Sequence, residues 1–287
     1  MTPGTRSTVF TASVGALTLC GLLLLASSAV SANVYVGYPN SIAVLGHSGA
    51  TGESSDPNKP LHYEARENSW ATGTNPAVKS LYLRLLAVNP KIERHNFNLA
   101  QGGADVRQLY KQATVAVPKL SPRPDLFAIQ IMDNDIRCNG TDETNFPRFQ
   151  RTVTSVLKAL AKGAPNAHVF VVSQFGSPTT AIASMTPALR KQFGGGTGPC
   201  DALASSGQII PKKLAYLESV IHGYESALAA ACKQVAICRY DGGAFGRIVD
   251  RVEYVARDGN HFSIKGHAKA ASVAWAAMKR TRVIPSS

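Results

Sequence analysis

From residue 42 to residue 278, short apolar runs alternate with longer stretches whose apolar positions recur every three or four residues. The runs cover residues 42–45, 92–98, 126–132, 168–173 and 235–240. They are nearly continuous and rich in Val, Ile, Leu and Phe, the pattern of parallel strands buried on both faces. Helical spacing predicts helices over 77–88, 106–117, 149–160, 214–231 and 264–278; Val153, Val156, Leu157 and Leu160 carry it in the third. Strand–helix alternation predicts an α/β fold with a parallel sheet covered on both faces, and right-handed crossovers restrict it to a few doubly wound orders.

Two segments break the rhythm. Residues 51–74 are rich in Gly, Pro, Asn and Ser, and residues 176–208 include Gly194-Gly195-Gly196 and Cys200. Both are expected as long loops leaving the C-terminal ends of strands, where open α/β sheets bind ligands.

The first 32 residues have a different character. Arg6 is their sole charged side chain, residues 14–26 are mostly apolar, and Val30-Ser31-Ala32 has the small residues of a cleavage site. This is the three-part pattern of a signal peptide, so residues 1–32 are read as an export signal and 33–287 as one domain. The apolar core is shorter than the roughly 20 residues of a membrane span; an uncleaved anchor is the alternative. Export implies an oxidising compartment. Loss of the signal removes Cys20 and leaves Cys138, Cys200, Cys232 and Cys238. Cys232 and Cys238 are close in sequence and are paired first, which pairs Cys138 with Cys200; four free buried thiols are the alternative.

The net charge of +12 raises the question of nucleic acid. The Lys and Arg residues are scattered, without a basic block or interleaved aromatics, so no nucleic-acid partner is expected. Peripheral attraction to an anionic cell envelope is compatible with the charge.

The chemistry lies at the ends of the apolar runs. The first run leads into Gly46-His47-Ser48-Gly49, and Asp258-Gly259-Asn260-His261 lies near the C-terminus. A serine hydroxyl needs a base to become a nucleophile. His261 can be that base, and Asp258, three residues before it, can hold the imidazole's tautomer and steady its positive charge. Between them in order lie Asn98 to Gly103 and Asn134-Asp135. The N–H groups of Ser48 and Gly103 and the carboxamide of Asn134 are candidate oxyanion donors. His95, His222 and His267 have no companion motif. No metal-ligand spacing is visible, so no metal and no cofactor are expected. His47 is expected to brace the turn, with the loop after Thr51 as its candidate partner.

These blocks resemble the SGNH (GDSL-type) hydrolases. Gly46-His47-Ser48 stands where that family has Gly-Asp-Ser. Asn98-Leu99-Ala100-Gln101-Gly102-Gly103 resembles the second block, and Met132-Asp133-Asn134-Asp135 the third, usually Gly-x-Asn-Asp. Asp258-x-x-His261 matches the last. The resemblance implies a flavodoxin-like three-layer sandwich with a central parallel sheet, and ester hydrolysis without a metal. It assigns Ser48, Asp258 and His261 to catalysis and Ser48, Gly103 and Asn134 to the oxyanion. The segment Ser69-Trp70-Ala71-Thr72-Gly73, with the helix start at Asn75-Pro76, is similar to exported actinobacterial members. His47 for aspartate and Met132 for glycine are the departures. The reading is a secreted or envelope-associated serine esterase acting on a lipid, an acylated glycan or a small acyl ester. An acyltransferase with the same triad and a silent envelope-binding protein are the rivals.

Overall fold

The computed structural model describes residues 37–286; the expected signal peptide lies outside them. Five parallel strands form one sheet: β1 Ile42–Gly46, β2 Asn96–Asn98, β3 Leu126–Gln130, β4 His168–Val171 and β5 Cys238–Tyr240. Their spatial order is β2-β1-β3-β4-β5. The order turns back between β1 and β3, and the crevice beyond the C-terminal ends of those two strands is the favoured ligand site of such sheets.

The side-chain period of two sends alternate strand residues into two cores. Ala43, Leu45, Phe127, Ile129, Val169 and Val171 face one side. There they meet α2 (Val106–Lys111), α3 (Asp142–Gly163) and α6 (Pro211–Lys233). Ile42, Val44, Leu126, Ala128 and Phe170 face the other, against α1 (Leu81–Val88), α7 (Ile264–Arg280) and the buried Trp70. This is the expected three-layer α/β sandwich.

Several boundaries differ from the sequence reading, each for a local reason. The strand expected over 92–98 keeps only Asn96–Asn98, because Asn89 caps a tight turn at Pro90–Ile92 and Arg94 takes a positive φ of 63°. The first helix begins at Leu81 rather than 77: Lys79 has φ 48° and Ser80 Oγ accepts from Leu83 N. The second stops at Lys111 and continues as a π-type turn, Gln112–Ala116, and a short 3₁₀ turn to Lys119. The third starts earlier than 149, at Asp142, despite the internal Pro147. The segment 176–208 is not one long loop. It holds α4 (Pro178–Ser184) and α5 (Pro187–Gln192), each opened by a Ser or Thr cap followed by proline. That Ser-Pro and Thr-Pro signal was present in the sequence.

Cys138 is bonded to Cys200 and Cys232 to Cys238, the second pair drawn from proximity and the first from what it left. The first ties the segment after β3 to the region following α5. Among the described residues, no helix is long and apolar enough to cross a membrane.

Candidate active site

Ser48 stands just past β1, in a 3₁₀ turn capped by His47. Gly46 turns the chain with φ 131°, and a Cβ there would lie 1.8 Å from the Gln130 carbonyl oxygen of β3. Only glycine fits so close an approach. Gln112 holds the same residue from the other side. Its Nε2 donates to Gly46 O (2.9 Å), and its Oε1 accepts from Gly46 N (2.8 Å). A side-chain amide thus replaces a strand neighbour, and the π-type turn falls at that residue; such turns recur at functional sites. Gln130 completes the support: its carbonyl accepts from His47 N (3.2 Å) and its Oε1 from Trp70 Nε1 (2.7 Å). The sequence reading missed Gln112 and Gln130, since a glutamine in a helix or strand carries no local signal.

His47 does brace the turn, but through its own neighbours. Nδ1 accepts from Gly49 N at 3.0 Å, and Nε2 lies 3.5 Å from Asp133 Oδ2. The expected partner in the loop after Thr51 is replaced by this contact across the sheet crevice.

His261 lies in the turn before α7. Its ring Nδ1 donates to Asp258 Oδ2 at 2.7 Å. Asp258 Oδ1 accepts from Asn260 N and His261 N, both at 3.0 Å. Burial alone would raise the Asp258 pKa. Hydrogen bonds from Ser54, from the His261 and Asn260 backbone and from the His261 ring outweigh it and hold the carboxylate well below its usual range. The Asp258 charge is therefore permanent near neutral pH, and the Nδ1-protonated tautomer leaves the Nε2 lone pair free.

Ser48, Asn134 and His261 line one cavity of about 490 Å³ at the C-terminal end of the sheet, within the usual range for small-molecule sites. Ile182, Met185, Leu189, Leu217 and Ile221 supply an apolar wall from α4 and the residue that ends it, from α5 and from α6. Among the described residues no hydrogen bond joins Ser48 Oγ to His261; such contacts often tighten only with substrate bound. Asn134 is exposed, and its Nδ2 donates to Ala104 O at 3.1 Å. Gly103, the neighbour of Ala104, is exposed at φ 71° and is not part of the cavity wall. Of the sequence-derived candidates, Ser48, Asn134 and His261 share the cavity, Asp258 supports the last, and Gly103 lies outside the cavity lining. Met132, where glycine is usual, has φ 138°, a region glycine favours. Its side chain is buried in the core, which offsets the backbone strain. His267 is buried on α7 against Phe262, and burial lowers its pKa, keeping it neutral.

One further group was not visible as a spacing. Glu53, His62 and His261 place donor atoms within 4.8 Å of one another. They come from positions too far apart in the chain to form a ligand motif.

The sequence profile of the GDSL-like lipase/acylhydrolase family matches residues 42–274. The chain belongs to that family. It is a carboxylic ester hydrolase of GDSL type. Among curated proteins none matches its sequence. Its fold is similar to that of a GDSL-like lipase from Parabacteroides merdae, with a TM-score of 0.51 at 14% identity, covering 87% of this chain and 99% of that one. It is also similar to a catalytic variant of an acetylxylan esterase from Geobacillus stearothermophilus, with a TM-score of 0.50 at 14% identity, covering 88% and 99% respectively. At such identity the likeness concerns the fold.

Proposed function

We propose that this GDSL-type hydrolase is an exported serine esterase in which Ser48 is the nucleophile, His261 the general base and Asp258 its orienting carboxylate. The observation that carries the reading is His261, joined to Asp258 at 2.7 Å and standing on the wall of the same cavity as Ser48. In the reaction, Ser48 Oγ attacks the ester carbonyl and its proton passes to His261 Nε2. Asp258 steadies the imidazolium. The N–H of Ser48 and the carboxamide of Asn134 donate to the oxyanion, with Gly103 N as the third candidate. The tetrahedral intermediate collapses, the C–O bond to the alcohol breaks, and His261 returns the proton to the leaving oxygen. Water then enters, loses a proton to His261 and releases the acid by the same path.

The apolar wall from α4, α5 and α6 supports an acyl chain as the buried part of the substrate, with the alcohol portion toward solvent. Two disulfides and the signal-like first 32 residues support export. A fluorophosphonate probe followed by peptide mapping tests the assignment. Labelling at Ser48, absent in Ser48→Ala, is expected. Labelling elsewhere, with Ser48→Ala still hydrolysing p-nitrophenyl esters at the normal rate, removes Ser48 from the chemistry.

A further inference from the structure

The contact made by His261 Nε2 is unusual for a free base. With Nδ1–H donated to Asp258 Oδ2, Nε2 carries a lone pair, yet it lies 3.7 Å from a Glu53 carboxylate oxygen. Both atoms are acceptors in this tautomer. Both side chains are nearly shut off from water, 10% and 11% exposed. The other Glu53 oxygen lies 2.8 Å from His62 Nδ1, and His62 is 70% exposed. Two imidazoles and one carboxylate therefore converge, with one side open to solvent.

We infer that Glu53, His62 and His261 bind a first-row transition ion, with Zn²⁺ as the best fit, and that its occupancy switches the esterase off. The switch rests on the reading of His261 as the base; the site itself does not. Two nitrogens and one carboxylate oxygen are a donor set for Zn²⁺, Co²⁺ or Ni²⁺, whereas Ca²⁺ and Mg²⁺ need more oxygen ligands. Solvent on the His62 side supplies the remaining position. Asp258 already provides what a metal-bound histidine needs, a carboxylate on its other ring nitrogen that fixes the tautomer and raises the basicity of the donor. The site also has room. A Cβ at position 102 would come within 2.9 Å of the Glu53 oxygen nearest His261, and that residue is glycine. The donors, now within 4.8 Å of one another, must adjust to separations of roughly 3.3 Å, the edge of a tetrahedron with bonds of about 2.0–2.1 Å. The exposed His62 can move that far.

Inhibition follows from the electron pair. Coordination uses the Nε2 lone pair that would accept the Ser48 proton, so Ser48 stays a neutral hydroxyl while the ion is bound. Release of the ion restores the base, and no covalent change occurs.

The Ser48→Ala protein, which keeps all three donors, is titrated with ZnCl₂ by calorimetry and with CoCl₂ by visible absorption. One ion per chain is expected, with intense tetrahedral Co²⁺ bands. His62→Gln in the same background should weaken binding at least tenfold; being exposed, this position should not compromise folding. In parallel, the concentration of Zn²⁺ that halves esterase turnover is measured for the wild type and for His62→Gln, each normalised to its own metal-free rate. It should rise at least tenfold in the variant. Absent binding, or binding unchanged by His62→Gln, overturns the site. Stoichiometric binding without loss of turnover overturns the switch. Turnover that survives Ser48→Ala instead overturns the reading of Ser48 as nucleophile and leaves the binding result standing.

Discussion

The turn that carries Ser48 and the turn that carries His261 reach the same cavity by opposite means. Around Ser48 the support is distant in the chain: Gln112 brackets Gly46, and the Gln130 carbonyl closes on Gly46 and accepts from His47 N. Around His261 it is mostly local: Asp258 accepts from its own turn at Asn260 N, His261 N and the His261 ring. Ser54, Glu53 and His62 reach it from afar. In the proposed mechanism, the nucleophile at the end of a buried strand gains its precision from the sheet. The proposed base, on a connecting turn, gains it from a short motif.

The comparison is tested most severely by removing the reacting groups. Ser48→Ala and His261→Ala should each lower turnover by three or more orders of magnitude. The double variant should be little worse than either, because the two act as a unit. Asp258→Asn should lose about a thousandfold or more, through the imidazole's orientation and tautomer. Steady-state kinetics on one p-nitrophenyl ester decides it, and additive losses would mean that the two turns do not share a reaction.

If the nucleophile turn depends on the sheet, Gly46→Ala should damage the whole fold. The added methyl meets Gln130 O, and alanine resists φ 131°. A loss of about 3 kcal/mol is expected from overpacking and backbone strain together. The melting temperature measures it; an unshifted value would show that β1 and β3 are not locked at this point.

Gln112→Ala should have a smaller effect, about 1–3 kcal/mol, because Gly46 N loses a buried acceptor. Turnover should fall in step with stability, whereas Asp258→Asn, which also gives up the stability of its hydrogen-bonded charge, should lose turnover far beyond what its change in melting temperature accounts for. A selective loss of turnover in Gln112→Ala, with the melting curve intact, would erase the contrast between the turns.

The subtlest test uses pH. Asp135, just after Asn134, accepts from Val106 N, and burial pushes its pKa from the ordinary 3.8 up to about 7. The folded state then binds a proton that the unfolded state has released. The contribution of Asp135 to stability is present below its unfolded pKa and falls as pH rises toward 7. His267, whose pKa burial lowers, works in the opposite sense at acid pH, so wild type must be compared with a variant. The stability of Asp135→Asn relative to wild type should rise from pH 4 to pH 7, read from denaturant midpoints. A constant difference would mean that Asp135 is not held protonated in the folded state.

The parts legible in the sequence share one physical basis: they are local. Buried parallel strands show as short apolar runs, amphipathic helices as a period near 3.6, and Asp258-x-x-His261 as two groups whose separation lets one turn join them. Cys232 and Cys238 were paired by proximity for the same reason, and the second disulfide followed by elimination. The shortening of β2, the π-type turn at Gln112 and the helices within 176–208 were less legible, because each depends on one cap, one positive φ or one side-chain bond rather than on a period.

By itself the sequence determined the layered α/β plan, the order of its motifs and the residues proposed for the chemistry. Only the tertiary structure decided what holds Gly46, which carboxylate faces His47, what lines the cavity and that Glu53 and His62 stand beside His261. Those are side-chain contacts between segments far apart in the chain. Their energies depend on burial and on an approach of a few ångströms, and neither leaves a periodic trace in the order of residues.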